Sequence, residues 1–361
     1  MTERDDFPRG RQDATPRPGY PPPPPGWAPP PGYPPPRGAQ YPPPGPQQPP
    51  PFPPQPNPQP PPKPRPAGGW RATIHRATFG LVNPGPSPAQ RREAELIAVI
   101  RAPFPRHLKI GVLGKGGVGK TSVSASVGSI FAEQRPADRV VALDADTAFG
   151  RLASRIDPSV HGSYWELASD KNLQSFADLR GRVGNNATGL YVLAGEPPTT
   201  RRRVLDPAVY REAALRLDRH FTISIVDCGS TMDAPVTQEA LRDVDALIVV
   251  SSPWADGAAA AAQTMAWLAN HGKTELLRRT VVVLNDSDGH SDKRTRATLA
   301  HQFTSRGQTV VEVPFDPHLR PGGVIDVTRE MAPTTKLRFL EIAAAISHNF
   351  AQSGVSARKF R

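Results

Sequence analysis

Residues 114–121 read Gly-Lys-Gly-Gly-Val-Gly-Lys-Thr, and they constrain this 361-residue chain more than any other segment. The spacing of the glycines, the second lysine and the threonine is that of a phosphate-binding loop, in which consecutive backbone N–H groups surround an anion. Glycine is needed there because it adopts backbone angles that other residues avoid and lets the main chain approach a ligand. The residues that we expect to contact a nucleotide are Gly114, Lys115, Gly116, Gly117, Val118, Gly119, Lys120, Thr121 and Ser122.

The flanking residues supply the context that such a loop needs. Residues 108–113 form an apolar run that predicts a strand, and residues 119–134 carry apolar side chains at helical spacing. A strand that leads through a Gly-rich loop into a helix is the usual setting of a phosphate site. There Lys120 reaches the β- and γ-phosphates and the Thr121 hydroxyl binds Mg²⁺. A Gly-rich turn without a ligand is the alternative, and the context argues against it.

Short apolar runs alternate with helical patterns from residue 107 onward. The predicted strands are 108–113, 139–143, 190–194, 221–226, 245–250, 280–284 and 309–313. The predicted helices are 119–134, 207–219, 256–271, 291–306 and 334–350. Because the runs are rich in Val, Ile and Leu without alternation, we expect strands buried on both faces. The sequence therefore predicts an α/β fold, with a mostly parallel sheet flanked by helices.

Polar residues follow four of the predicted strands. They are Asp144 with Asp146, Asp227, Asn285, and Pro314 with Asp316. Ligands of parallel sheets bind at the carboxyl ends of strands, so these side chains should lie near the loop. A single aspartate in such a place is more often a turn former, but three acidic strand ends favour a magnesium site.

Together these motifs resemble the MinD/ParA family of P-loop ATPases, which carry a deviant Walker A loop. The resemblance covers roughly residues 107–350, and its motifs occur in the family's order. It implies an ATPase that depends on ATP and Mg²⁺ and that dimerises face to face with two ATP molecules between the subunits. One departure is Cys228-Gly229 after Asp227, where the family usually has a proline close behind.

The resemblance also implies a role for each matched residue. Lys115 would cross to the nucleotide of the partner subunit and neutralise the transferred phosphoryl group, as an arginine finger does elsewhere. Lys120 and Asp146 would complete the catalytic set, with Asp146 orienting the attacking water. The metal site would comprise Thr121, Asp144 and Asp227. The adenine contacts would be Asn285 and the segment from Pro314 through Phe315 to Asp316.

Three phrases are similar to those of MinD-like ATPases from actinobacterial type VII (ESX) secretion loci. They lie at residues 143–150, 226–230 and 267–272, and a proline-rich extension precedes the ATPase in those proteins as well. This narrower resemblance implies recruitment to a membrane secretion complex, and the residues themselves predict a cytoplasmic protein. The single cysteine, Cys228, fits a reducing compartment, and the first residues contain no apolar signal segment.

Proline is concentrated at the start of the chain, where residues 1–66 hold 30 of the 46 prolines. Such a segment cannot bury enough apolar surface to fold, so we predict disorder with polyproline II character. Its P-x-x-P frames would either dock on protein partners or serve as a passive tether. We predict four parts: this region, a linker with a short amphipathic helix (67–106), the ATPase domain (107–352) and a basic tail (353–361).

The net charge of +11 suggests nucleic acid, but its distribution weakens that interpretation. Residues 107–357 carry a net charge of only +1, so DNA binding is possible without being required. Arg201–Arg203 would grip phosphates or lie solvated on a loop. The tail offers only Val355 and Phe360 as apolar side chains, which is too little for a stable membrane anchor.

The primary hypothesis is an ATP-dependent dimeric switch that regulates or supports ESX secretion. One alternative is a ParA-like ATPase for DNA partitioning or for positioning cell division. It predicts DNA binding that depends on ATP and on salt. The other alternative is a proline-rich scaffold in which the nucleotide only stabilises the fold.

Overall fold

The computed structural model describes residues 77–78, 85–146, 150–195 and 204–358, with side chains up to residue 352. Its centre is an eight-stranded sheet in the order β3-β4-β2-β5-β1-β6-β7-β8. The strands are β1 Leu108–Gly114, β2 Val140–Ala145, β3 Gly184–Asn185, β4 Leu190–Leu193, β5 Ile223–Cys228, β6 Ala246–Ser251, β7 Thr280–Asn285 and β8 Thr309–Val313. All neighbouring pairs are parallel except β3 with β4.

Helices cover both faces of the sheet. They are α1 Pro88–Arg101, α2 Lys120–Gln134, α3 Leu152–Ile156, α4 Tyr164–Ser169, α5 Phe176–Arg180, α6 Pro207–Asp218, α7 Pro235–Asp243, α8 Ala255–Asn270, α9 Thr274–Arg278, α10 Lys293–Thr304 and α11 Pro333–Arg358. Helices α1, α2, α3 and α11 share one apolar core, and α4 to α10 pack on the opposite face. The α/β fold with a mostly parallel sheet is therefore confirmed.

The central strands are buried along their whole length, as their unbroken apolar runs predict. All five run past their predicted ends, β2 and β5 by two residues and the others by one. Asp144 lies inside β2 and Asp227 inside β5, because parallel pairing continues through these residues. The register sets Asp144 directly opposite Asp227, so the fold places two carboxylates side by side at one edge of the sheet.

Several elements were absent from the sequence prediction. They are β3 and the helices α3, α4, α5, α7 and α9. β3, α3, α4, α5 and α9 have two to six residues, which is too few to display a clear period. Helix α7 has nine residues, and its buried Val236, Ala240 and Leu241 lie at helical spacing, so its sequence did carry a usable signal. The last helix extends to Arg358, beyond the predicted end at residue 350. The proline-rich region 1–66 and Arg201–Arg203 lie outside the described residues.

Helix α1 begins as the sequence predicts. The Ser87 hydroxyl accepts the Gln90 N–H at 3.2 Å, and the Gln90 side chain accepts the Ser87 N–H at 2.8 Å. This capping box fixes the start of the helix. The apolar stripe then packs on α11 and α2, with Leu96 and Ile100 buried in the core.

Among the described helices, none combines the length and the apolar character that a membrane-spanning segment requires.

Adjacent residues of α1 allow a matched test of this packing. Ile100 is fully buried, whereas Val99 is 37% exposed. We expect Ile100→Ala to lower the free energy of unfolding by about 2–5 kcal/mol, because it leaves a cavity in the core. Val99→Ala should change it by less than about 0.5 kcal/mol. Urea unfolding followed by circular dichroism would measure both, and equal effects would contradict the docking of α1.

Candidate nucleotide-binding site

The loop between β1 and α2 requires glycine at two places for steric reasons. Gly114 has φ +153°, and a Cβ there would lie 2.3 Å from the Val250 carbonyl oxygen. Gly119 has φ +93°, and a Cβ would lie 2.4 Å from Nδ2 of Asn285. In contrast, no atom lies within 4 Å of a Cβ built at Gly116 or Gly117, although the φ of +82° at Gly117 also favours glycine. The loop is therefore anchored at both ends, and its middle faces open space.

The N-terminus of α2 has features that favour the binding of an anion. Gly119 precedes the helix and provides no side-chain cap, so the first N–H groups have no side-chain acceptor from that residue. These groups and the helix dipole attract negative charge. Lys120 is only 8% exposed, and its Nζ donates to the Lys115 carbonyl oxygen at 3.2 Å. The lysine is thus held folded over the loop.

Asp144 and Asp227 form a buried acidic pair below the loop. Burial raises the pKa of Asp144 to about 8, and the charge of Asp227 adds to the rise. Burial also raises the pKa of Asp227 to about 6, against hydrogen bonds from Thr121 and Ser124 that lower it. The Ser124 hydroxyl donates to Oδ1 of Asp227 at 3.0 Å. The sheet and α2 therefore bring the predicted metal residues Thr121, Asp144 and Asp227 together.

Asp146 lies beside this pair. Its backbone N–H donates to Oδ1 of Asp144 at 3.4 Å. A Cβ on Gly229, just after β5, would lie 3.5 Å from Oδ1 of Asp146. The side chain thus faces the carboxyl end of the neighbouring strand, close to the acidic pair. Cys228 is fully buried at the same strand end, and burial raises the pKa of its thiol to about 12.

These residues fit a magnesium ion. Two buried carboxylates with raised pKa values form an environment that gains from a cation, and a hydroxyl completes a set of hard oxygen ligands. The ordered loop amides and the Lys120 ammonium provide the matching site for phosphates.

A pocket of about 150 Å³ continues from the loop toward β7 and β8. Its lining is Gly117, Gly119, Ser122, Arg155, Asn285, Asp286, Ser287, Pro314, Phe315, Asp316, Leu319 and Arg320. The predicted adenine contacts therefore share one cavity with the loop. Nδ2 of Asn285 donates to the Val118 carbonyl at 2.9 Å. The Asp316 carboxylate accepts the backbone N–H groups of His318 and Ala332, both at 3.0 Å.

The Lys115 side chain points away from the phosphate loop. Its Nζ lies 2.7 Å from Oδ2 of Asp256, in the first turn of α8, and both side chains are largely exposed. The hydrogen bond from Lys115 lowers the pKa of Asp256. The structure therefore places Lys115 on the surface of the site, apart from the buried group around Lys120.

The sequence analysis missed several residues that shape the site. Ser124 follows Thr121 by three positions and so shares its helix face, which is a usable signal. Asp256 is an acidic residue in a first helical turn, which is a common and uninformative pattern. Arg155 enters the pocket through the tertiary fold, and its local sequence carries no sign of it. Phe315 belongs to the segment Pro314–Asp316, and it lines the pocket together with its two neighbours.

The acidic pair predicts a pH dependence of stability for the protein without ligands. A carboxyl with a pKa near 8 in the folded state and 3.8 in the unfolded state loses stability as pH rises between those values. Between pH 6 and 8 this loss comes mainly from Asp144 and approaches about 1.4 kcal/mol per pH unit. We expect Asp144→Asn to remove this slope, measured by urea unfolding in EDTA without nucleotide. Asp256→Asn is the control and should retain it; parallel profiles of wild type and Asp144→Asn would contradict the assignment.

Comparison with known proteins places these features in context. The chain is 33% identical over 290 residues to the ESX-1 secretion-associated protein EspI of Mycobacterium tuberculosis. The match covers 79% of this chain but only 43% of EspI, so the chain spans less than half the length of that relative.

Solved structures share the fold. The cell division ATPase MinD of Pyrococcus furiosus is 20% identical with a TM-score of 0.52, over 67% of this chain and 99% of that one. The septum site-determining protein MinD of Pyrococcus horikoshii, complexed with Mg-ADP, is 20% identical with a TM-score of 0.50, over 65% and 94%. At this identity the likeness concerns the fold alone.

The family assignment rests on the sequence. Residues 111–322 match the model of the CobQ/CobB/MinD/ParA nucleotide binding domain. The matched segment contains the loop, the acidic pair and the pocket, and the predicted resemblance to MinD/ParA proteins is confirmed. The chain belongs to the CobQ/CobB/MinD/ParA family of nucleotide-binding proteins.

Proposed function

We propose that this protein hydrolyses ATP with Mg²⁺ and uses the reaction as a switch. The observation that carries the proposal is the position of the loop. It lies directly above two buried carboxylates and opens into a pocket lined by Asn285 and Pro314. Phosphates and base would thus share one cavity, and the ion would lie beside the phosphates at the acidic pair.

Each residue group has a distinct task in the proposed reaction. The loop amides and Lys120 bind and orient the phosphates. Thr121, Asp144 and Asp227 hold the ion, and Ser124 keeps the Asp227 carboxylate in place. Bound Mg²⁺ neutralises charge on the phosphate oxygens. Asp146 orients the attacking water at the edge of the acidic pair.

Lys115 gives the proposed switch its dependence on a second subunit. Its ammonium is exposed and pairs with Asp256 on the surface, so it does not serve its own buried site. In the proposed dimer it leaves Asp256 and contacts the nucleotide of the partner subunit, where it stabilises negative charge on the transferred phosphoryl group.

The rate of ATP turnover tests this arrangement. We expect activity per subunit to rise with protein concentration, because the active form is a dimer. Lys115→Ala should lower the turnover by about 10³-fold, in the range of an arginine finger. Lys171→Ala, which changes an exposed lysine outside the loop, should leave the turnover unchanged. Turnover that depends on neither concentration nor Lys115 would reject the dimeric switch.

We further propose that the switch supports or regulates type VII (ESX) secretion from the cytoplasmic side. The similarity to EspI, a secretion-associated protein, supports this role. The proline-rich region 1–66 would bind a protein partner, and the nucleotide state of the ATPase domain would control that interaction.

Allelic replacement tests the role in secretion. In a strain that carries the gene beside an ESX locus, Lys120→Ala should change the amount of secreted ESX substrate. Lys171→Ala should secrete as the wild type does. Unchanged secretion in Lys120→Ala, together with ATP-dependent DNA binding in a gel shift, would favour the partitioning alternative.

A further inference from the structure

Two arginines line the pocket that continues from the phosphate loop, and the proposed reaction uses neither of them. Arg155 is a half-buried residue of α3, and Arg320 is an exposed residue further along the chain. Nη1 of Arg155 donates to the Gly323 carbonyl oxygen at 3.3 Å, and the Ile325 N–H donates to the Arg155 carbonyl oxygen at 2.9 Å. Helix α3 and the segment 320–325 therefore bring both arginines to one wall of the pocket.

The positive charge on this wall is not balanced within the fold. Among the described residues, no carboxylate forms an ion pair with either arginine. The pocket lining contains two acidic residues, and both have other partners. Asp286 pairs with Arg296, and the Asp316 carboxylate accepts two backbone N–H groups. The two arginines thus give the pocket an excess of positive charge on the α3 side.

The environment of Arg155 makes an anionic ligand favourable. Burial lowers the pKa of the Arg155 guanidinium, which shows that the charged form is poorly solvated there. A guanidinium stays protonated and has five N–H donors. Within the part of the chain that the structure describes, one neutral carbonyl oxygen, that of Gly323, accepts from it. Phosphate is the anion whose geometry best matches such a group, because it accepts two parallel N–H bonds from one arginine.

The position of the arginines decides which phosphate they meet. The loop amides, the N-terminus of α2 and Lys120 already provide the groups that a chain of 5′-phosphates requires. The arginines lie on a different wall, which belongs to α3 and the segment 320–325. Their charge is therefore available to a second anionic group of the same ligand.

From this arrangement we infer that Arg155 and Arg320 bind a phosphate on the ribose of the nucleotide, attached to its 2′- or 3′-hydroxyl. The inference rests on the proposed function, since it requires 5′-phosphates on the loop. It adds a class of ligand, namely nucleotides that are phosphorylated both at the 5′ end and on the ribose. Such a nucleotide would occupy the loop in place of ATP and would hold the switch without turnover.

Titration calorimetry on the full-length protein tests the inference with ADP, ADP 3′-phosphate and ADP 2′-phosphate. We expect the wild type to bind one of the two ribose-phosphorylated forms about 10- to 100-fold more tightly than ADP, because hydrogen bonds between charged groups are strong. Arg155→Gln and Arg320→Gln should each remove most of this preference and leave ADP binding unchanged. Arg155→Lys keeps the charge and should retain part of it.

A matched control removes the same charge elsewhere. Arg294 is exposed on α10 and does not line the pocket, so Arg294→Gln should keep the full preference for the ribose-phosphorylated form. An equal loss in Arg294→Gln and Arg320→Gln would assign the effect to the net charge of the protein and would overturn the proposed site.

The same titrations separate this inference from the proposed function. Lys120→Ala should weaken the binding of all three ligands, and a wild type that binds neither ATP nor these ligands would reject the nucleotide site itself. A wild type that binds ADP with no preference for either ribose-phosphorylated form would overturn this inference alone. Equal weakening of ADP and its phosphorylated form in Arg155→Gln would also overturn it, since the arginine would then contact the base or the 5′-phosphates.

Phosphorus NMR gives a second readout that does not depend on affinity. The ribose phosphate has its own resonance, separate from those of the two 5′-phosphates. In the saturated wild type all three resonances should shift relative to the free ligand. In saturated Arg155→Gln and Arg320→Gln the 5′-phosphate shifts should remain, and the shift of the ribose phosphate should decrease. A ribose phosphate shift that is the same in wild type and in both variants would contradict the inference.

Discussion

The parallel pairing of β2 with β5 places Asp144 directly opposite Asp227, and the rest of the site depends on this register. Two carboxylates at 2% and 1% exposure repel each other, and burial penalises the charge of each. The fold keeps them in place through Ser124, Thr121 and the backbone N–H groups of Asp146 and Leu152. Such an arrangement is unfavourable unless a proton or a cation is present. The stability of the fold therefore depends on what binds at the acidic pair.

The opposite end of the sheet shows how this fold treats acidic residues when no ligand is involved. Lys109, with 9% exposure of its side chain, lies 2.9 Å from Asp218 and 2.6 Å from Asp243. Asp245 pairs with Arg106 and accepts the Lys109 N–H. Within the described part of the chain, no lysine or arginine forms an ion pair with Asp144 or Asp227. The acids at one end form ion pairs, whereas those at the carboxyl edge have only hydrogen bonds and the charge of Lys120, and this contrast supports the proposed cation site.

The sequence was sufficient for the seven parallel strands and the phosphate loop because both depend on local signals. Unbroken apolar runs identify buried strands, and the loop has a fixed spacing of glycines and lysine. It was insufficient for short helices such as α3, whose five residues carry no period. It was also insufficient for Asp256 and Arg155, because their partners lie far away in the chain. Contacts of that kind depend on where the strands end in space, which only the assembled sheet determines.

The two lysines of the loop have different environments, and in the proposed dimer this difference would allow one loop to serve two nucleotide sites. Lys120 is 8% exposed and donates to the backbone of its own loop, so it cannot move far without disrupting the phosphate cradle. The Lys115 side chain is 49% exposed, and its only ion pair in the described structure, with Asp256, lies in water. Exposed pairs contribute little to stability because solvent screens them, so Lys115 can exchange Asp256 for another anion at small cost. A lysine that is positioned by a weak ion pair, and is easily released from it, is well suited to reach a nucleotide on a second subunit.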